Sequence, residues 1–421
     1  MKQSILSCLE TGYTEPIRDI LWGHIYLTPG MAALTKSAPF MRLHRIVQLG
    51  PAFYVYPGAT HTRASHSIGV YNLARRLLIC LVKLGADKWL TQEGVYSFLC
   101  AALLHDLGHF PYTHSLKELP LESHEALTGK IIRSEPIMSL VAKAGGDPAF
   151  TAAIIDMKTT EKNELAFYQR LLSGTLDPDK LDYLNRDARC CGISYGVQDV
   201  DFVLSCLCPH PERGTDIYEK GIPSVESMLF SKYLMYRTVY WHKQVRSATA
   251  MIKKAILSAL EDEMLAQEEL YNLDDEGFFS LIESKKPAIV QSVRNGQFYV
   301  TAAEFPFDEK LNNTALDIKN RLNLEKDLAE ALSGLLEKIS AEKLIIDVPE
   351  PVSFESDLYI VDEECSFSDS SSAFKDEMVR ALKNSLQKIR IFVEPGLVPD
   401  QKNLSSLSKK ILQITQKWLQ L

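Results

Sequence analysis

The stretch Phe98-Leu99-Cys100-Ala101-Ala102-Leu103-Leu104-His105-Asp106-Leu107-Gly108-His109 ends an apolar run on two adjacent ionisable side chains. From about Glu93 to Leu107 it is apolar on nearly every side, which predicts a buried central helix. Burying a charge without compensation costs several kcal/mol or more, so His105 and Asp106 must be paired or must ligate a metal. Gly108 and Pro111 bend the chain, and His109 and His114 follow at once. Imidazoles and a carboxylate gathered at one point suit a divalent metal by ligand type. A hydrogen-bonded His-Asp pair in the core reads equally from this stretch alone.

Working outward, six of the ten histidines (His61, His66, His105, His109, His114, His124) crowd into the same region. Between Asp19 and Asp87 there is no carboxylate, while Lys36, Arg42, Arg45, Arg63, Arg75, Arg76 and Lys83 all fall there. Such a stretch either faces acidic helices or holds phosphate. Helical spacing predicts a helix capped by Ser65 with Ile68, Leu73, Leu77, Leu78 and Leu81 on its apolar face. Further helices are expected over His124–Ile132, Asp179–Cys190 and, as one long amphipathic stretch, Val225–Leu265. The N-terminal region carries strand-like pieces at His24–Thr28 and Phe53–Tyr56. Beyond residue 286, Leu344–Val348, Leu358–Val361 and Ile389–Val393 read as strands. A helix at Phe374–Gln387 gives that region a β-α-β character, and Asn403–Leu419 closes the chain as an amphipathic helix.

The 421 residues are 46% hydrophobic and 24% charged, which excludes a disordered or collagen-like chain. A net charge of −8 argues against a protein that coats nucleic acid. The eight cysteines include no Cys-x-x-Cys pair, and Cys206-x-Cys208-x-His210 lacks the second half of a zinc site. Reduced cysteines, the absence of a signal-peptide core and apolar runs well short of about 20 residues predict a cytoplasmic protein with no membrane partner. No internal repeat, Gly-rich phosphate loop or Ser-centred nucleophile elbow is present.

The order Arg63-Ala64-Ser65-His66-Ser67, then His105-Asp106, then Asp179-Lys180-Leu181-Asp182-Tyr183 resembles the HD-domain metal-dependent phosphohydrolases. Further stretches resemble their deoxynucleoside triphosphate triphosphohydrolase branch. These are Phe40-Met41-Arg42-Leu43, Gln48-Leu49-Gly50, Tyr56-Pro57-Gly58-Ala59-Thr60-His61-Thr62-Arg63, Asn185-Arg186-Asp187 and Tyr240-Trp241-His242-Lys243. The likeness spans roughly residues 19 to 260. It implies a mainly α fold: an HD-type helical core over 61–285, an N-terminal region of short strands over 1–60, and a smaller C-terminal α+β segment over 286–421 with oligomer contacts.

By that resemblance His66, His105, Asp106 and Asp179 ligate a divalent metal, which is Mg2+, Mn2+, Fe2+ or Zn2+. Arg63, Lys180 and His114 match phosphate-contacting positions, and Lys232 stands where an arginine holds the terminal phosphate. His109 and His124 match catalytic histidines, with His124 the better candidate for protonating the leaving 5′-oxygen. Gln48, Leu49, Tyr183, Asp187 and Tyr240 match the sugar pocket, and Tyr236 joins the substrate-binding set. The implied activity is hydrolysis of a deoxynucleoside triphosphate to deoxynucleoside and triphosphate. The alternatives are a phosphatase or phosphodiesterase for another nucleotide, or a catalytically weakened nucleotide-binding sensor. A homo-oligomer, dimer or tetramer, is expected, with nucleic acid not a main partner.

The sequence departs from the family pattern in three places. Lys117 occupies the position of a carboxylate that orients the catalytic histidine, so either Glu118 substitutes or acid catalysis is weak. Ser65 replaces a glutamate just before His66. Lys36, Met41 and His44 stand where activated relatives read guanine with Asp, Gln and Arg, so no guanine-nucleotide activation is expected there.

Overall fold

The computed structural model describes residues 4–157, 163–307, 317–334, 336, 339–350, 352–354, 356–397 and 401–419. Strands β1 (Glu15–Asp19) and β2 (Gly23–Leu27) form an antiparallel hairpin at the N-terminus. β3 (Leu207–His210) and β4 (Gly214–Ile217) form a second hairpin, extended by β7 (Tyr359–Ile360) and β8 (Cys365–Ser366) in the order β3-β4-β7-β8. A third sheet runs in the order β5-β9-β6 over Val300–Pro306, Lys388–Val393 and Leu344–Asp347. Everything between these sheets is mainly helical, in line with the expected fold class.

The core is laid down by the 21-residue helix Arg63–Lys83 packed on Gln92–Leu104 and on Pro178–Cys191. Gln92–Leu104 is the expected apolar helix: Phe98, Leu99, Cys100, Ala101, Ala102, Leu103 and Leu104 are all fully buried. It stops at Leu104, three residues short of the expected end, and His105 and Asp106 sit in the turn that follows. Thr62, not Ser65, caps the Arg63 helix: its extended backbone lets its hydroxyl accept from Ser65 N at 3.4 Å.

The expected strand at Phe53–Tyr56 is instead a 3-10 turn over Gly50–Tyr54, because Pro51 fixes its own φ and lacks a donor for a ladder. The stretch expected to be one helix from Val225 to Leu265 is broken. Helix Ile222–Met235 loosens into a π turn over Tyr236–Tyr240, and a new helix begins at Lys243. The strands expected beyond residue 286 fall into two sheets, and β5, unforeseen, is one edge of the third. There β9 runs antiparallel to both neighbours, and helix Asp376–Leu386 links it to a strand of a different sheet, so the expected β-α-β unit does not form. The segment carrying Phe354, Leu358, Ile360, Phe367, Phe374, Val379 and Leu386 packs into the same apolar cluster as the central helices. No helix among the described residues is long and apolar enough to cross a membrane.

Candidate metal centre

Three helices and one turn bring the expected ligands together. His66 lies in the first turn of its helix, Asp179 in the first turn of Pro178–Cys191, and His105 and Asp106 in the turn after Leu104. One ligating atom each from His66, His105 and Asp179 lie within 4.8 Å of one another. Asp106 Oδ1 is 3.3 Å from His105 Nε2. That turn is fixed from outside: Thr128 donates to the carbonyl of His105 at 3.0 Å and accepts from Gly108 N at 2.8 Å. A Cβ on Gly108 would come within 2.2 Å of the carbonyl oxygen of His124, so only glycine lets the turn press on the next helix. Arg42 donates to the carbonyls of Leu107 and His109 from the opposite side.

The donor set fits a divalent cation. His105 Nδ1 points at the carbonyl of Ala102 at 2.9 Å, and His66 Nδ1 at Asp182 Oδ2 at 2.9 Å. Both acceptors hold a ring proton on Nδ1, so Nε2 is the atom that each ring presents to the cluster. Buried His105 Nε2 has no hydrogen-bond partner, and an unsatisfied buried polar atom costs about 1–3 kcal/mol that a cation would recover. Burial disfavours charge on His66, yet its bonds to Asp179 and Asp182 outweigh that and push it up to about 10, so a cation binding at Nε2 would displace the proton shared with Asp179. Burial likewise opposes the Asp106 carboxylate, but His109, His105 and Arg63 hold it well below the usual range.

The imidazoles of His109, His114 and His124 form a second cluster with nitrogens within 4.8 Å. The rings of His109 and His124 are 3.9 Å apart, and Asp106 Oδ1 lies 3.1 Å from His109 Nε2, joining the two clusters. Burial, opposed by Glu125, pushes His124 down to about 4. Arg63 donates to Asp106 Oδ2 at 2.8 Å, while its buried Nε has no partner.

Lys180, next to Asp179 in the chain, donates to Asp177 and, at 3.0 Å, to the carbonyl of Gly174. Lys232 donates to the carbonyl of Ser353 at 2.7 Å, and burial together with Lys180 pushes it down to about 8. Asp187 accepts from Tyr240 at 2.7 Å and pairs with His61 at 2.8 Å. Tyr183 and Tyr236 lie 6.5 and 5.1 Å, ring to ring, from Tyr240. Tyr236 and Tyr240 are the two ends of the π turn, a distortion frequent at functional sites. Gln48 donates its backbone N–H to the carbonyl of His61 at 2.9 Å, and its buried side-chain oxygen has no partner. Leu49 heads the Gly50–Tyr54 turn and packs on the main core.

Some partners escaped the sequence. Glu118 does not reach His124, because Lys253 and Arg321 hold its two oxygens at 2.6 and 2.5 Å. The carboxylate beside His124 is Glu125, at 3.2 Å from Nδ1. Asp182 and Trp22, at the rear of His66, carried no signal beyond the family-like Asp-Lys-Leu-Asp-Tyr stretch.

Comparison with known proteins adds to this geometry. The HD domain matches residues 63–145, and the HD associated region matches residues 212–400. An uncharacterized protein of Methanocaldococcus jannaschii is 32% identical over 357 residues, covering 83% of this chain and 72% of that one. The chain belongs to the HD-domain family. Deoxynucleoside triphosphate triphosphohydrolase SAMHD1 of Bos taurus is 24% identical to this HD-domain chain over 406 residues, covering 82% of it and 68% of the relative. A phosphohydrolase from Bacteroides thetaiotaomicron shares the fold with a TM-score of 0.70 at 22% identity, over 90% of this chain and 100% of that one.

Proposed function

We propose that this HD-domain protein hydrolyses deoxynucleoside triphosphates to deoxynucleoside and triphosphate, with a divalent metal held by His66, His105, Asp106 and Asp179. The observation that carries this reading is the convergence of ligating atoms of His66, His105 and Asp179 within 4.8 Å of one another, with Asp106 joining them to a second cluster of three imidazoles. A divalent cation bound there supplies a polarised phosphoryl oxygen and an activated water.

The chain's own residues do the rest. Arg63, Lys180, Lys232 and His114 offer donors to the phosphates. The depressed Lys232 regains its full charge when an anion arrives, so it favours the phosphate-bound state. His124 is neutral at rest; the incoming polyphosphate charge raises its proton affinity and equips it to protonate the leaving 5′-oxygen, with His109 beside it. Gln48, Leu49, Tyr183, Asp187, Tyr236 and Tyr240 receive the sugar. The dimer or tetramer and the cytoplasmic location belong to the same proposal, and the eight free thiols support the latter.

A second reading, nucleotide binding without turnover, draws on one observation: Lys117 and a His124 pushed down to about 4 make a poor resting acid. Turnover of a nucleotide panel with Mn2+ or Mg2+ separates these readings. Triphosphate release from deoxynucleoside triphosphates supports the first. Orthophosphate or monophosphate release points to another phosphoester chemistry, and tight binding without products points to the sensor.

A further inference from the structure

Ser65 gives His66 no orientation, because its hydroxyl turns back to the carbonyl of Thr62 at 2.7 Å. Asp182 takes that role. Its Oδ2 accepts from His66 Nδ1 at 2.9 Å and from Arg186 Nε at 2.8 Å. Its Oδ1 accepts from Arg186 Nη2 at 3.0 Å and from Trp22 Nε1 at 2.6 Å. Trp22 comes from the turn between β1 and β2, 160 residues away in sequence. That turn is itself fastened. Asp19 Oδ1 accepts from the backbone N–H groups of Leu21 and Trp22 at 2.9 Å each, and its Oδ2 accepts from Arg186 Nη1 at 2.8 Å.

Packing on the far side shows that the arrangement is built rather than incidental. Asp182 is fully buried against the His66 helix at Gly69, one turn beyond His66. A Cβ on Gly69 would come within 1.9 Å of Asp182 Oδ1 and 2.5 Å of Arg186 Nη2. The space of one side chain is thus given up so that this carboxylate can sit there. A carboxylate accepts at about four lone-pair sites, and here four donors occupy them. Any rotation of Asp182 forfeits bonds, so the Nδ1 proton and ring plane of His66 are set by groups reaching back to the hairpin.

We infer that Trp22 and Asp182 are positioning residues for His66, and that the β1–β2 turn is the outer clasp of the metal centre. This rests on the metal reading of the site but on no choice of substrate. Outer partners of a ligating histidine are worth about 10–100-fold in metal affinity. Without the indole N–H, Oδ1 keeps only Arg186, and the carboxylate gains freedom to turn away from His66.

The test uses the full chain and Mn2+ alone as probe, reading the dissociation constant by calorimetry and the half-time of metal loss to a chelator. Trp22→Phe keeps an aromatic ring and removes the donor; it is expected to bind Mn2+ about 10-fold more weakly and to lose it faster. Asp182→Asn is expected to approach about 100-fold, although it also deprives Arg186 of a buried partner, so Trp22→Phe decides. Ile20→Ala, in the same turn with its side chain 68% exposed, is expected to match the parent. A folded Trp22→Phe protein that binds and releases Mn2+ like the parent overturns the inference. A parent that binds no Mn2+ overturns it together with the metal centre. A parent that holds Mn2+ but hydrolyses no nucleotide leaves it standing and removes only the proposed activity.

Discussion

His66 and His124 are buried imidazoles in the two clusters that Asp106 joins, and their surroundings differ in kind. His66 faces Asp179 at 2.9 Å through one nitrogen and Asp182 at 2.9 Å through the other, and a buried guanidinium and an indole fix Asp182 in turn. Among the described residues His124 has a single carboxylate within ion-pair distance, Glu125, whose side chain is 41% exposed and which follows it directly in the chain. His109, in a triangle of tilted rings with His114 and His124, has a buried Nδ1 with no partner. Burial pushes His124 down to about 4, whereas His66 is pushed up to about 10 despite burial. The metal ligand proposed at His66 profits from an Nδ1 partner that fixes its ring, while the proton carrier proposed at His124 must change state during the reaction. The first side is built for permanence and the second for exchange.

That contrast can be broken most severely at the bridge between the sides. Asp106→Ala removes a proposed ligand and the partner of both Arg63 and His109; loss of bound metal and of all turnover is expected, read by metal analysis and product assay. His124→Ala is expected to lower kcat by about 100-fold or more while metal content stays at the parental level. Equal loss of metal in both variants would erase the distinction between the two sides. Glu118→Gln leaves Lys253 and Arg321 with weakened pairing in a mostly buried cluster, at a cost of up to about 3 kcal/mol. A thermal melt reads it, and an unchanged melting temperature would show that the cluster carries little. Guanosine triphosphate is expected to leave the rate unchanged; stimulation abolished by changing Lys36 would contradict that.

Much of the metal side was legible in the sequence, because an apolar helix that ends in His105-Asp106 forces the question of what the charges pair with. The Thr62 cap, the early end at Leu104 and the 3-10 turn after Gly50 are boundary effects that local backbone chemistry decides within a few residues. The break after Met235 was hidden because apolar residues continue on both sides of it, and only the π turn shifts the phase. Glu118 and Glu125 could not be told apart from composition. Which one faces His124 depends on Lys253 and Arg321, far along the chain. Trp22 was invisible for the same reason: a tryptophan in a hairpin turn says nothing about an aspartate 160 positions later.

The proposed activity stands or falls on where water attacks. Metal-loaded protein is supplied with a deoxynucleoside triphosphate in 18O-labelled water, and the products are followed by phosphorus NMR. Attack at the α-phosphorus predicts unlabelled deoxynucleoside and intact triphosphate carrying the label on a terminal phosphorus. Labelled orthophosphate or pyrophosphate, or no turnover by protein that retains its metal, would contradict it.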